Sequence, residues 1–252
     1  MERQIFIVGI GPGSFQMMTN QAQEILCNCD IIVGYKTYVD LIKNYFPKKE
    51  FISSSMHEEI KRCELCFDFA VEGKTVALIS SGDSGVYGMA SPMFEMKQKN
   101  PIYQEVELVV IPGITAATSG SAILGAPLNN DFCTISLSDL MTSWQVIEKR
   151  LIAALQGDFV ISIYNPSSHK RKDYLKRACE ILLNNGAEKT RACAYVENIG
   201  RENTKVKVCT LDELKDCVTN MFTTVFIGNS QTEIFTEKNG EQKLITKRGY
   251  KI

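Results

Sequence analysis

The sequence predicts an α/β protein made of two α/β domains. Three observations predict it. Short apolar runs of strand length alternate with stretches of helical periodicity. Four of those runs end in loops that carry glycine or proline. Beyond about residue 130 the alternation starts again.

Residues 5–10, IFIVGI, form a continuous apolar run, the pattern of a strand buried on both faces. Gly11-Pro12-Gly13 breaks the chain, and Ala22, Ile25, Leu26 and Cys29 then give residues 19–28 an apolar helical face. Residues 30–33 read as a strand and 57–72 as a helix with Ile60, Cys63, Phe67, Ala70 and Val71 inward. Residues 75–80 read as a buried strand, 82–85 as a turn, 86–97 as a helix, and 106–111 as a strand closed by Pro112-Gly113. In the second half, 133–137, 159–164, 192–196, 206–209 and 223–227 read as strands. Residues 144–155 and 171–184 read as helices, the second stopped by Asn185-Gly186. Thr210-x-x-Glu213 is a capping box that opens a short helix, and the basic tail 243–252 is mildly β-like. Strands alternating with helices imply mostly parallel sheets. The division is expected in the Ala-, Ser- and Gly-rich stretch 115–130, giving domains 1–115 and 116–252. There is no internal repeat and no low-complexity segment.

The chain has 252 residues, 44% hydrophobic and 23% charged, enough to bury a substantial core. With 28 Lys and Arg against 29 Asp and Glu it lacks the basic surplus of a general nucleic-acid binder. The polar start and the short run at 5–10 do not read as an export signal, and no run approaches the ~18 apolar residues of a membrane helix. A cytoplasmic protein is expected. Cys63-x-x-Cys66 and Cys27-x-Cys29 invite a zinc reading, but no second pair completes four ligands, so buried or incidental reduced thiols and no metal are expected. His57 and His169 stand apart in the sequence, which argues against a histidine relay, and His169 reads as a surface loop residue.

Four motifs follow strands. Gly9-Ile10-Gly11-Pro12-Gly13 lets the backbone turn sharply and offers N–H groups to an anion. It is not a full dinucleotide fingerprint, because Ser14 stands where a third glycine belongs; Asp30 would be its acidic partner. Ser81-Gly82-Asp83-Ser84-Gly85-Val86-Tyr87-Gly88 places Asp83 either against a ligand or as a helix N-cap. Pro112-Gly113-Ile114-Thr115-Ala116 and Tyr164-Asn165-Pro166 are the third and fourth. Each alone reads as a turn; four in this order at strand ends read as a site.

Together these motifs resemble the tetrapyrrole (corrin/porphyrin) methylase family, over nearly the whole chain. Ile135-Ser-Leu-Ser-Asp-Leu140 near Trp144, Ile163-Tyr-Asn-Pro-Ser-Ser168 before Lys170 and Arg171, Val86-Tyr87-Gly88-Met89-Ala90, and Met56-x-x-Glu59-x-x-Arg62-Cys63 resemble its precorrin-3B C17-methyltransferase and cobalt-factor III methyltransferase branch. Ser84 departs from the proline common after Gly-Asp, though serine also suits a turn. Some relatives carry an extra C-terminal domain; none is expected in these 252 residues.

The resemblance implies two α/β domains with a cofactor cleft between them, a homodimer, and S-adenosylmethionine (SAM) as cofactor. It implies methylation of C17 of a corrin precursor with ring contraction, in cobalamin biosynthesis. It further implies that Pro12, Gly82, Asp83, Val86, Thr115, Ala116 and Asn165 lie near SAM, with Asn198 and Gly228 as further candidates. A polycarboxylate macrocycle needs apolar walls and a few cations or hydrogen-bonding groups; Gly11, Gly13, Arg62, Ser136, Lys170 and Arg171 are the candidates. Ser138 and Asp139 are candidates for polar or proton-transfer roles. Lys170, Arg171 and Lys172 also read as a solvated helix start, and Trp144 as core. SAM chemistry needs mainly alignment, so no nucleophilic triad is required. Other readings are methylation at another ring carbon, a nicotinamide-dependent oxidoreductase, and a silent binding protein of the same fold.

Overall fold

A computed structural model describes residues 3–168 and 170–251. His169, expected on a surface loop, lies outside the described residues. Contacts divide the chain into two compact units, Met1–Ala116 and Ala117–Ile252.

The first unit carries β1 (Gln4–Gly9), α1 (Asn20–Asn28), β2 (Ile31–Tyr35), α2 (Lys36–Ile42), β3 (Glu50–Ser54), α3 (Glu59–Val71), β4 (Val76–Ser80), α4 (Ala90–Lys99) and β5 (Glu107–Ile111). All five strands are parallel, in the order β3-β2-β4-β1-β5. Ile5, Ile7, Val33, Val76 and Leu78 face α3 and α4, while Val8, Ile32, Ala77 and Ile79 pack on the other face with Ala22 and Leu26 of α1 and Val39 of α2. Cover on both faces is why these strands read as unbroken apolar runs. α4 starts at Ala90 rather than residue 86. Tyr87 has a left-handed φ of 54°, and the chain crosses so close at Gly88 that a Cβ there would lie 2.6 Å from the Ser84 carbonyl. On α3, Cys63, Cys66, Phe67 and Ala70 are buried as expected, whereas Ile60 is exposed and Arg62 is buried.

The second unit carries α5 (Ala116–Leu124), which begins at the boundary residue, then β6 (Gly125–Ala126), β7 (Phe132–Ser136), α6 (Trp144–Gln156), β8 (Val160–Tyr164) and α7 (Tyr174–Asn184). β9 (Ala192–Glu197), β10 (Lys205–Thr210), α8 (Leu211–Leu214), β11 (Thr223–Ile227), β12 (Thr232–Thr236) and β13 (Gln242–Thr246) follow. Its main sheet has the order β10-β9-β11-β8-β7, and only β7 and β8 pair in parallel. The expectation of mostly parallel sheets is thus corrected for this half. The stretch 198–204 between β9 and β10 is shorter than the dozen or so residues a parallel crossover needs, so the two strands form a hairpin. α6 and α7 bury Ile147, Leu151, Leu175, Ala178 and Leu182 with Ile161, Ile163 and Val225. The small-residue stretch 115–130, where the division is expected, begins at the boundary between the units and carries the helix α5. A Cβ at Gly120 would sit 2.8 Å from the Phe226 ring, so small residues are needed there for close packing. The expected capping box at Thr210 and Glu213 is formed. The β-like tail pairs β13 with β12 and β6, pinned by the Thr246 hydroxyl, which donates to the Pro127 carbonyl.

All nine cysteines are free. Burial pushes the Cys63 and Cys179 thiols up to about 12, which keeps them protonated and inert at neutral pH. Among the described residues no group of three or more ligating side chains is placed to hold a metal ion.

Candidate cofactor and substrate site

β4, β1 and β5 are neighbours running the same way, so the loops after them emerge side by side. There the three glycine motifs knit together. Gly11 N–H donates to the Gly82 carbonyl at 3.1 Å and Gly82 N–H to the Gly11 carbonyl at 2.7 Å. Gly11 and Gly82 have φ of 73° and 69°, in the left-handed region that glycine tolerates. A Cβ on Gly113 would lie 2.1 Å from the Gly82 carbonyl oxygen and 2.6 Å from that of Gly9. Much of the glycine requirement is therefore loop against loop.

Asp83 joins all this. One carboxylate oxygen accepts Gly85 N–H at 2.7 Å, and the other accepts Gly113 N–H at 2.9 Å. It is not the N-cap of α4; Met89 holds that position without a side-chain cap. Asp83 is a half-buried tie between the second and third motifs. Ser84, the departure from proline, is buried and donates its hydroxyl to the Ile7 carbonyl of β1 at 3.1 Å. Pro12 is buried, and Gly13, Val86, Thr115 and Ala116 are half-buried around the same junction.

Two residues are placed elsewhere. Asp30 precedes β2, at the opposite edge of the sheet, and its carboxylate accepts Thr75 N–H at 2.8 Å. The acidic residue of a dinucleotide fold belongs near the carboxyl ends of the strands, so Asp30 cannot serve there. Arg62 is 3% exposed. Its Nε donates to Ser54 Oγ at 2.8 Å, Nη2 to the Ser55 carbonyl at 3.0 Å, and Nη1 contacts Met89 Sδ at 3.7 Å. Arg62 therefore braces the end of β3 against the start of α4 rather than standing as a solvent-facing cation.

In the second unit the carboxyl ends of β7, β8 and β9 share one edge, because β9 runs antiparallel to β11 and β11 antiparallel to β8. Ser136 Oγ accepts Asn165 Nδ2 at 2.9 Å and Ser138 N–H at 3.2 Å. Asn165 is exposed with a left-handed φ of 52°. The Tyr164 hydroxyl accepts Ala117 N–H at 2.8 Å, at the start of α5. Asn198, with φ of 56°, ends β9 at this edge. Gly228 does not: it follows β11 at the opposite edge, where Arg191 donates to its carbonyl and a Cβ would meet Thr232 at 2.4 Å. An antiparallel strand end is invisible to a reading that expects parallel strands.

Lys170 and Arg171 lie in a tight turn closed by reciprocal backbone bonds between Ser168 and Arg171, ahead of α7 and not in its first turn. Lys170 is exposed. Arg171 Nε meets Asp139 Oδ1 at 2.6 Å, and the Tyr174 hydroxyl donates to Asp139 Oδ2 at 2.5 Å. The Tyr174 hydrogen bond, aided by Arg171, holds the Asp139 carboxyl below the usual carboxylate range, and the same contact raises the Tyr174 phenol. Asp139 is thus ionised at neutral pH with both oxygens engaged, unsuited to act as a general acid. Trp144 is half-buried, with the Arg177 guanidinium 4.0 Å from its ring centroid. Tyr174 was missed from sequence: it sits within a predicted helix, and nothing in the spacing links it to Asp139.

A parallel sheet with knitted glycine loops at its carboxyl edge, followed by a mixed-sheet unit with its own polar edge, defines a ligand-binding α/β protein of two units. The sequence profile of the Tetrapyrrole (Corrin/Porphyrin) Methylases matches residues 4–215, and the chain belongs to that family. It is 42% identical over 252 residues to the cobalt-factor III methyltransferase of Priestia megaterium, covering 99% of this chain and 46% of that protein. It is 42% identical over 246 residues to the probable cobalt-factor III C(17)-methyltransferase of Salmonella typhimurium, covering 98% of this chain and 99% of that one. It therefore spans about half of the first relative and nearly all of the second. The crystal structure of the methyltransferase CobJ superposes with a TM-score of 0.88 at 31% identity, over 97% of this chain and 99% of that one.

Proposed function

We propose that this chain is a SAM-dependent C-methyltransferase of cobalamin biosynthesis. It acts at C17 of cobalt-factor III or precorrin-3B, with contraction of the ring. The knitted junction of the first three motifs, tied by Asp83, carries the proposal. It sits at the carboxyl edge of a parallel sheet, where α/β proteins bind ligands. The junction also fits the cofactor: tight turns, a half-buried carboxylate, and the polar side chains of Ser81 and Thr115 suit a ligand with amino, carboxylate and ribose groups. Bound SAM supplies an activated methyl group. Pro12, Gly82, Asp83, Val86, Thr115 and Ala116 would hold it; Asn165 and Asn198 are the second unit's candidates. Gly11, Gly13, Ser136, Lys170 and Arg171 are candidates for the macrocycle.

The protein's contribution is alignment, which is worth roughly 7–11 kcal/mol where two reactants are fixed in a reactive pose. Fixed loops suit that task. The family and the relatives' names support the substrate class. A cytoplasmic homodimer is part of the proposal; no helix among the described residues is long and apolar enough to cross a membrane.

Cofactor choice separates the proposal from a nicotinamide oxidoreductase, against which the misplaced Asp30 also counts. In titration calorimetry the protein is expected to bind S-adenosylhomocysteine and to give no heat with NAD. Saturable binding of NAD with none of S-adenosylhomocysteine would overturn it.

A further inference from the structure

We propose that Arg171 takes a peripheral carboxylate of the macrocycle on its two η nitrogens, and that Tyr174 and Asp139 are positioning residues that keep that edge available. The inference rests on the proposed polycarboxylate substrate and assigns the residues that orient its contact.

A carboxylate beside an arginine tends to close on it fork to fork, using two N–H groups. Asp139 does not. Its Oδ1 takes Arg171 Nε at 2.6 Å, while its Oδ2 accepts the Tyr174 hydroxyl at 2.5 Å. The phenol thus holds the carboxylate in this pose from the side away from Nε's partner oxygen. The pair's nearest approach is at Nε, not at the η edge of the guanidinium.

The geometry is held from several sides. The Arg171 backbone is pinned to Ser168 by bonds of 3.2 and 3.1 Å. The guanidinium lies 6.0 Å from the Tyr174 ring centroid, and that ring packs against Trp144 at 4.7 Å. A group fixed before its ligand arrives loses less freedom on binding. The Arg171 side chain is 22% exposed, so a carboxylate reaching it meets a partly desolvated cation rather than a screened surface charge. Asp139 cancels part of the charge, yet exposed Lys170 and Lys172 leave the turn positive against Asp139 and Asp173. Lysine cannot replace arginine here, because an ammonium spent on Asp139 has no second planar edge to offer.

The test measures kcat and KM for the macrocycle in wild type, Arg171→Gln, Arg171→Lys, Tyr174→Phe and the Arg171→Gln/Tyr174→Phe double variant. Uroporphyrin, a stable octacarboxylate macrocycle, serves as a binding probe in the absence of turnover, and S-adenosylhomocysteine affinity reports the integrity of the first unit. Losing a charged contact predicts a KM raised roughly ten- to a hundredfold in both Arg171 variants, with kcat nearly unchanged. Tyr174→Phe is expected to raise KM roughly three- to tenfold, and to add nothing in the Arg171→Gln background, because it acts through Arg171. An unchanged KM in folded Arg171→Gln, rescue by Arg171→Lys, or an equal effect of Tyr174→Phe with and without Arg171 would each overturn the assignment. If Tyr174→Phe does not fold, the two Arg171 variants still decide. If wild type binds uroporphyrin through Arg171 but transfers no methyl group, the proposed reaction fails and the carboxylate subsite stands. If methyl transfer proceeds and neither KM nor probe binding depends on Arg171, the subsite fails alone.

Discussion

Replacing Gly113 with alanine is expected to abolish cofactor binding while leaving most secondary structure in place. The added Cβ would fall 2.1 Å from the Gly82 carbonyl oxygen and 2.6 Å from the Gly9 carbonyl oxygen. Both are backbone atoms that cannot rotate away, so the loops after β1, β4 and β5 must part. Overpacking of this kind costs about 1–3 kcal/mol or more, and separation of the loops also breaks the Gly113 bond to Asp83. A loss of at least about a hundredfold in S-adenosylhomocysteine affinity is predicted, roughly 2.7 kcal/mol. Gly73→Ala is the control. Gly73 has a φ of 91° but nothing within 4 Å of a Cβ, so it should lose about 1 kcal/mol of stability and none of the affinity.

Asp83→Ala carries the second large effect. Sequence alone offered two separable outcomes, a ligand contact that lowers affinity or a helix cap that lowers stability. The structure supplies a third. Each oxygen accepts one backbone N–H, from Gly85 and from Gly113, and bonds to a charged group contribute about 1.5–3 kcal/mol each. Removing both orphans two donors at the junction, so stability and cofactor affinity should fall together. A drop in melting temperature of at least about 6 °C is expected, with affinity reduced at least tenfold by calorimetry. Lost affinity with unchanged melting would make Asp83 a ligand contact alone. Lost stability with unchanged affinity would separate the junction from cofactor binding.

Much of the first unit was legible because its strands are buried on both faces and its glycines follow them directly. Residues 5–10, 75–80 and 106–111 announce β1, β4 and β5, and their order in sequence already places three loops at carboxyl ends. β3 escaped because residues 50–54 mix charge, serine and only two apolar side chains. α5 escaped because alanine, serine and glycine mark linkers as readily as closely packed helices; only the Phe226 ring over Gly120 reveals which. The second sheet is mostly antiparallel where alternating strands and helices predict a parallel one, so the opposite edges on which Asn165 and Gly228 stand are not legible in the sequence. Residue types pointed to Asp83, Arg62, Asp139 and Arg171 as chemically important, but their partners lie 30, 8, 35 and 32 residues away, at Gly113, Ser54, Tyr174 and Asp139. Such pairings depend on tertiary contacts that neither periodicity nor local spacing encodes.

On the proposed function, this chain moves a methyl group from SAM to C17 of a corrin precursor. The direct measurement incubates the protein with SAM labelled in its methyl carbon and, in parallel, with cobalt-factor III and with precorrin-3B, then locates the label in the product by mass and NMR. The prediction is one labelled methyl group on C17 of a ring-contracted macrocycle, formed from at least one of the two substrates. Label on another ring carbon, or no transfer by protein that binds both S-adenosylhomocysteine and the macrocycle, would contradict it.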